Sequence, residues 1–189
     1  MNERKIIWVI FIILIIERII ETFLPDKNKQ KGEVSSKWLF YCMLVSGILI
    51  YICAISEFIF LVKKINIFIT IIGSVLIIFR IILKVWAVKT LGKFWSIQIE
   101  IREDQKLIKE GPYKYVRHPS YLSTMIEVTA GPLIFNSYYT ILFVWLVYIP
   151  FLITRIYLEE KELLKKFGKE YEEYRRSVPL LLPIKIFKK

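Results

Sequence analysis

Long apolar runs separated by short charged segments dominate the chain. Each of five runs is long enough, or nearly long enough, to cross the roughly 30 Å hydrocarbon core of a bilayer as a helix. They extend over Ile6 to Leu24, Trp38 to Val62, Ile65 to Val88, Tyr121 to Phe135 and Tyr138 to Leu158. This pattern predicts an all-α integral membrane protein with about five transmembrane helices, the last two forming a hairpin that turns at Asn136-Ser137.

Two segments depart from the apolar pattern. Thr90 to Ser120 is the largest segment outside the predicted spans, and within it Ile97 to Arg102 alternates apolar and polar residues with the period of a strand. Because a single strand without a visible partner is marginal, we interpret it as an extended segment. After the fifth span, the spacing of apolar residues predicts a charged amphipathic helix from Arg155 to about Arg176, which Gly168 weakens locally.

We interpret the whole chain, residues 1–189, as one membrane domain. Residues 1–88 hold the three N-terminal spans, and residues 89–189 hold the polar segment, the helical hairpin and the C-terminal helix. The first apolar run has no small-residue cleavage site after it, so we expect it to remain attached as a membrane anchor.

Composition and charge support this class and predict an orientation. The chain of 189 residues is 56% hydrophobic and has a formal net charge of +11. If the N-terminus is outside, 22 of the 28 Lys and Arg residues flank the spans on the inner side and 4 flank them on the outer side. We therefore predict an outside N-terminus, with the polar motifs facing the cytoplasm. The cations are then topology determinants rather than a nucleic-acid surface.

The segment Gly111 to Tyr121 is the first candidate for chemistry. It combines a Gly-Pro turn, three tyrosines and two cations with His118, the one histidine of the chain, directly before an apolar run. An imidazole in this place either binds a cofactor carboxylate or ribose, or anchors the segment at the membrane interface. With one histidine, and with Cys42 and Cys53 inside a single apolar run, we predict no catalytic metal.

Ionisable residues at the helices form the second set of candidates. Arg155 and Glu159 lie four residues apart, on one helix face where the fifth span leaves the membrane, and Glu160 follows. They either bind an anionic ligand or form a surface ion pair on a solvated helix. Ionisable residues also lie inside the predicted spans, at Glu57, Arg80 and Glu127. These indicate a functional cavity or buried pairs, whose partners the sequence does not assign.

In combination these motifs resemble the isoprenylcysteine carboxyl methyltransferase family, integral membrane enzymes that use S-adenosylmethionine. The resemblance covers about the C-terminal half of the chain. It rests on Leu91-Gly92, Phe94-Trp95, Gln98, Leu107-Ile108, Gly111, Tyr113, Arg117-His118-Pro119, Tyr121, Arg155, Glu159-Glu160, Phe167-Gly168, Tyr171, Tyr174 and Val178-Pro179.

The resemblance implies a cytoplasm-facing pocket for S-adenosyl-L-methionine, closed by the C-terminal amphipathic helix. The residues it implies for cofactor binding are Gln98, Gln105, Lys106, Leu107, Ile108, Tyr113, His118, Pro119, Ser120, Tyr121 and Glu160. It also implies catalytic roles at the substrate end, where Arg155 orients an anionic acceptor and Glu159 holds Arg155 or contacts the acceptor. The implied reaction is O-methylation of the carboxylate or acidic hydroxyl of a lipid-tailed acceptor, either a lipophilic small molecule or a prenylated chain, within membrane lipids.

Several features keep alternatives open. Many relatives have His where this chain has Gln105, a difference that could change a cofactor contact. Many also have Gly where this chain has Ser123, a difference that could change how closely two helices approach. Ile126-Glu127 and the Gly-Pro-Tyr motif resemble bacterial members that methylate alkylpyrone lipids, and phospholipid methylation is a further alternative. A nicotinamide-dependent membrane isoprenoid or sterol reductase, and a non-enzymatic transporter or scaffold, are the alternatives of other classes.

Overall fold

The computed structural model describes residues 3–23, 33–35, 37–96, 99–101 and 104–182. In chain order these form α1 (Glu3–Phe23), β1 (Glu33–Ser35), α2 (Lys37–Phe60), α3 (Ile67–Leu91), β2 (Ile99–Ile101), α4 (Pro119–Phe135), α5 (Tyr138–Phe143), α6 (Ile149–Phe167) and α7 (Lys169–Ser177). Short 3-10 turns lie at Gly92–Phe94 and Gly111–Lys114, and a π-helical turn, Val144–Tyr148, joins α5 to α6. Apart from one short strand pair, the described elements are helical.

Three described helical segments are long and apolar enough to cross a membrane. They are Lys37–Phe60, Ile67–Phe94 and Tyr138–Phe167. The 17 residues of α4 rise only about 26 Å and about half of them are buried against other helices. In α1, Glu17 and Arg18 interrupt the apolar sequence. The structure is therefore a helical membrane fold with three candidate spans, and the five crossings expected from the sequence remain a prediction.

The helix α4 lies among α2, α3, α5 and α6, and it packs most closely on α3. A Cβ atom on Gly73 of α3 would lie 2.8 Å from Ile134 Cγ1 and 3.0 Å from the Ala130 carbonyl oxygen. Only glycine permits that approach. The turn predicted at Asn136-Ser137 is present, with Asn136 in the left-handed region at φ 57°. Its side chain donates to Thr70 Oγ1 at 2.9 Å, which fixes the end of α4 to the start of α3.

The carboxylate of Glu57 has a structural role in this fold. Glu57 Oε1 accepts from the backbone N–H of Tyr139 at 3.1 Å, and Oε2 accepts from the backbone N–H of Thr140 at 2.9 Å. These donors belong to the first turn of α5, where backbone N–H groups have no partner within the helix. A negative charge there is also favoured by the helix dipole. Glu57 therefore caps α5 and ties it to the end of α2.

Aromatic side chains hold α1 against α2 and α4. The Trp8 ring centroid lies 6.0 Å from that of Phe58 and 6.3 Å from that of Phe135, both in edge-on contact. Phe11 makes a third such contact with Phe135, at 5.3 Å. Edge-to-face aromatic pairs add modestly to the apolar area that they bury. They place α1 over the same helices that carry the polar residues described below.

The alternating segment near Ile97 is not an isolated extended stretch as the sequence analysis expected. Its described part, Ile99–Ile101, pairs antiparallel with Glu33–Ser35, with Val34 opposite Glu100. The partner lies in the polar linker after the first apolar run. Since such a linker is poor in apolar periodicity, a strand in it gave no detectable signal.

The amphipathic helix predicted from Arg155 to about Arg176 is divided into two helices in the structure. Gly168 has φ 55° and separates α6 from α7, so the expected weak point is a break. The fifth apolar run and the first part of the predicted amphipathic helix are continuous, since one helical segment extends from Tyr138 to Phe167. The π-helical turn Val144–Tyr148 accommodates Pro150, which follows it. Proline lacks an N–H, and its ring collides with the preceding turn of a regular α-helix.

Candidate active site

The loop before α4 is fixed in place by a glycine and two prolines. A Cβ atom on Gly111, which has φ +57°, would lie 2.6 Å from Thr90 Oγ1 of α3, so the chain approaches α3 there only as glycine. Pro112 is then the second residue of the 3-10 turn, and Pro119 begins α4. Both positions suit proline, since a first-turn residue needs no N–H partner. His118 is thereby held at the start of α4.

His118 is buried, with 4% of its surface exposed, and its partner is Glu160. His118 Nε2 lies 3.1 Å from Glu160 Oε1. The same oxygen is 2.9 Å from Arg117 Nε and accepts from the Tyr171 hydroxyl at 3.1 Å. One carboxylate oxygen therefore joins the loop before α4 to α6 and α7. A partly buried carboxylate with a cation and several donors is well stabilised as an anion.

A second polar group forms around the hydroxyl of Tyr121. Arg155 Nε donates to this hydroxyl at 2.9 Å, and the hydroxyl donates to Glu159 Oε2. The Arg155 guanidinium carbon also lies 5.6 Å from the centroid of the Tyr121 ring. Arg155 is only 7% exposed, so it is not the solvated surface partner that the sequence left open. Tyr121, which is expected at the cofactor, also connects the two expected catalytic residues.

Both groups face a single cavity of about 640 Å³, a size typical of ligand sites. Ten of the residues predicted for the site line it. They are Gln105, Lys106, Leu107, Ile108, Tyr113, His118, Ser120, Tyr121, Arg155 and Glu159. Pro119 and Glu160 are outside the lining: Pro119 begins α4, and Glu160 supports His118. Gln98 lies outside the described residues.

Two serines at the start of α4 have buried hydroxyls without a hydrogen bond among the described residues. Ser120 Oγ lies beside the Tyr113 hydroxyl, but without the geometry of a hydrogen bond to it. Because Ser120 also lines the cavity, its hydroxyl is available to a bound ligand. Ser123, which stands where many relatives have glycine, is buried away from the cavity lining.

Sequence analysis placed Arg117, Tyr171 and Tyr174 in the family motif but gave them no role in the site, although all three line the cavity. Tyr174 donates to the Tyr113 carbonyl oxygen at 2.7 Å. Burial raises the pKa of Tyr174 to about 12, and burial together with the Glu160 charge raises the pKa of Tyr171 further. Both hydroxyls are therefore protonated donors at neutral pH. Their spacing of three residues, which places them on one face of α7, was the available signal.

Two of the three intramembrane ionisable residues, Arg80 and Glu127, belong to one polar network, of which Glu127 lines the cavity. Arg80 is 1% exposed, and its Nε donates to Glu127 Oε2 at 2.9 Å while Nη1 donates to Glu17 Oε1 at 2.5 Å. Arg18 Nη2 lies 3.3 Å from Glu127 Oε1. The Tyr51 hydroxyl donates to the same oxygen at 3.4 Å. The network joins α1, α2, α3 and α4, and it explains how charges are tolerated inside the fold.

The fold and this cavity define an intramembrane helical protein with a polar, ligand-sized site between its helices. The family model described as the isoprenylcysteine carboxyl methyltransferase (ICMT) family matches residues 71–165, about half of the chain. The chain therefore belongs to the ICMT family of methyltransferases, as the sequence motifs predicted.

Individual relatives agree with this assignment. A Bacillus subtilis protein, named as uncharacterized protein YpbQ, is 28% identical over 82% of this chain and 95% of its own length. A protein-S-isoprenylcysteine O-methyltransferase of Dictyostelium discoideum is 34% identical over 57% of this chain and 46% of its own. The structure of the eukaryotic intramembrane Ras methyltransferase ICMT is similar with a TM-score of 0.64 and 27% identity, covering 75% of this chain and 52% of that one. This chain thus spans about half the length of the methyltransferases that it matches.

Proposed function

We propose that this protein transfers a methyl group from S-adenosylmethionine to the carboxylate or acidic hydroxyl of a lipid-tailed acceptor. The observation that carries the proposal is the hydrogen-bonded group of buried Arg155 with Tyr121 and Glu159, at a cavity whose other walls include apolar residues of the membrane helices. A single site then offers polar contacts to a reacting head group and apolar contacts to a tail. Methyltransferase relatives support the reaction class.

The described residues fit S-adenosylmethionine as the bound cofactor. It supplies a methyl group on a positively charged sulfur. Glu159 contributes a carboxylate to the wall, and the hydroxyl of Ser120 lacks a hydrogen bond among described residues. A carboxylate and a hydroxyl of this kind in a cavity wall favour a ligand that carries both a cation and hydroxyl groups. His118, held by Glu160, and the segment from Gln105 to Ile108 would bind the remaining polar parts.

Arg155 has the properties needed to orient an anionic acceptor. Its guanidinium is always charged, and its planar fork suits the two oxygens of a carboxylate. The Tyr121 hydroxyl fixes one edge of that fork through Nε. An acceptor that is already an anion needs no dedicated base, so positioning and exclusion of water can supply much of the rate enhancement.

We propose further that this site faces the cytoplasm and that the N-terminus lies outside, on the basis of the positive-inside count. In this arrangement the C-terminal helix closes the cofactor pocket, and the acceptor enters between the membrane spans. The proposal includes five membrane crossings, of which α1 and α4 are the two that length and composition alone support least.

The experiment is methyl transfer with purified protein and S-adenosylmethionine labelled on its methyl group. A panel of prenylcysteine analogues, alkylpyrones and phospholipids would be offered, and label would be counted in the extracted lipid. Transfer to at least one acid or enol acceptor is the expected result. Equilibrium binding of S-adenosylmethionine and of a nicotinamide dinucleotide runs in parallel. Binding of the dinucleotide alone would replace the proposal by a reductase, and binding of neither would contradict an enzyme that uses these cofactors.

A further inference from the structure

The cavity continues past Arg155 into the helices, along one face of α4. Tyr121, Thr124, Glu127, Val128 and Gly131 all line it, at spacings of three and four residues that keep them on one helix face. Glu127 lies six residues after Tyr121, which corresponds to about 9 Å along the helix axis. The cavity therefore has a polar head at Tyr121 and a second polar position deeper among the spans.

Open space lies next to that second position. A Cβ atom on Gly131 would meet nothing within 4 Å beyond its own helix backbone, although Gly131 is buried. On the facing helix α2, a Cβ atom on Gly47 would meet only the Tyr148 ring, at an ordinary 3.8 Å. Both glycines line the cavity. The space beside Glu127 is thus wide enough to hold part of a ligand.

The two oxygens of Glu127 are not equally occupied. Oε2 is bound by two nitrogens of Arg80, one of them at 2.9 Å. Oε1 has longer contacts, 3.3 Å to Arg18 Nη2 and 3.4 Å to the Tyr51 hydroxyl, where a charged hydrogen bond is usually about 2.7 to 2.9 Å. Oε1 can therefore accept a closer hydrogen bond from a donor in the cavity.

We propose that this position, formed by Arg18, Gly47, Tyr51, Glu127 and Gly131 and termed the inner subsite, binds a hydroxyl group on the tail of the acceptor. Glu127 Oε1 is the atom that accepts the hydrogen bond. A plain hydrocarbon tail would offer no donor to this carboxylate oxygen, whose two contacts are both longer than an ordinary charged hydrogen bond. The substrate class is then a lipid with a polar group part of the way along its chain. The inference rests on the proposed function only for placing the head group at Arg155.

Binding of two matched fatty acids tests the subsite without any methyl transfer. Radiolabelled stearate and a mid-chain hydroxystearate would be measured on immobilised protein by a scintillation proximity assay. Wild type should bind the hydroxy acid about tenfold more tightly, the order of one well-made hydrogen bond to a charged group. Glu127→Gln should lose most of this preference, because it removes the charge. Gly131→Leu should also lose it, because its side chain fills the open space while every charge remains.

The control is Val75→Leu on the outer face of α3, where Val75 is 58% exposed, and it should keep the preference of wild type. If Glu127→Gln does not fold, Gly131→Leu carries the test alone. Equal affinities in wild type, an unchanged preference in a folded Gly131→Leu protein, or no binding of either acid would overturn the inference. A preference without methyl transfer to any acceptor would contradict the proposed function and leave the subsite standing. Methyl transfer without a preference for the hydroxy acid would support the proposed function and contradict the inner subsite.

Discussion

Replacing Arg155 by lysine keeps the positive charge and removes the planar guanidinium. In the structure, Arg155 Nε donates to the Tyr121 hydroxyl at 2.9 Å, and the guanidinium lies over the Tyr121 ring. A lysine ammonium is a compact point charge and cannot make a fixed two-pronged contact with a carboxylate as well as the bond to Tyr121. The variant should therefore fold normally and bind the cofactor normally. It should position the acceptor poorly.

The expected magnitude follows from the hydrogen bond to the acceptor that lysine cannot make. A hydrogen bond to a charged group contributes about 1.5 to 3 kcal/mol, and we assign one such bond to the acceptor. Each 1.36 kcal/mol corresponds to about tenfold in rate, so kcat/KM should fall by about 10- to 100-fold. Affinity for S-adenosylmethionine should hardly change, because Arg155 is proposed to hold the acceptor and not the cofactor.

The assay compares initial rates of methyl transfer at saturating cofactor, using an acceptor identified by the panel screen. Arg176→Lys is a matched control, since Arg176 Nη2 lies 2.8 Å from Glu172 Oε1 and its side chain is 78% exposed. Exposed pairs of this type contribute about 0 to 1 kcal/mol. Unchanged turnover and acceptor KM in Arg155→Lys would show that Arg155 only supports the structure around Tyr121. The acceptor head group would then lie elsewhere in the cavity.

Three further predictions concern the cofactor, the packing and the orientation. His118→Ala should weaken S-adenosylmethionine binding by about 1 to 3 kcal/mol in calorimetry, and unchanged affinity in a folded variant would reduce His118 to an interfacial anchor. Gly73→Val should lower the thermal unfolding temperature through a clash with Ile134, at a cost of about 1 to 3 kcal/mol, whereas a wild-type melting curve would refute the close approach of α3 and α4. In a cysteine-free background, an impermeant reagent on intact cells should label a cysteine at Lys64 and not one at Lys189, and the opposite pattern would invert the proposed topology.

Periodicity and composition were enough to locate the helices. The apolar runs beginning at Trp38 and Ile65 correspond to α2 and α3. They were predictable because a lipid-facing helix has a continuous block of apolar residues in its sequence. Strand pairing was not predictable, since β1 and β2 are far apart in sequence and a polar linker gives no sign of its partner. The break at Gly168 was predicted only as a weak point, because a glycine in a helical pattern does not reveal its φ angle.

For the site, the motifs named most of the residues but not their pairings. His118 and Glu160 are 42 residues apart, and their contact appears only after α4 and α6 pack together. The sequence showed that Arg80 and Glu127 are ionisable residues inside predicted spans. That they contact each other could be seen only in the folded structure. Glu57 illustrates the opposite case, in which a residue suspected of function serves as the cap of α5. The sequence identifies the ionisable residues that are unfavourable inside a membrane. The packing of the helices determines which partner stabilises each of them.

The contacts of the C-terminal segment determine when the site can exist during synthesis. The backbone N–H groups of Arg117 and His118 donate to the carbonyl oxygens of Pro179 and Leu180, at 2.9 and 3.2 Å. Tyr171 supplies one of the partners of Glu160. These groups leave the ribosome after the helices α2 to α6 have been made, so the loop that holds His118 lacks part of its support in every shorter nascent chain. Insertion of the helices therefore precedes assembly of the site, and a nascent chain cannot bind its ligands in the finished geometry until it has been translated past Leu180.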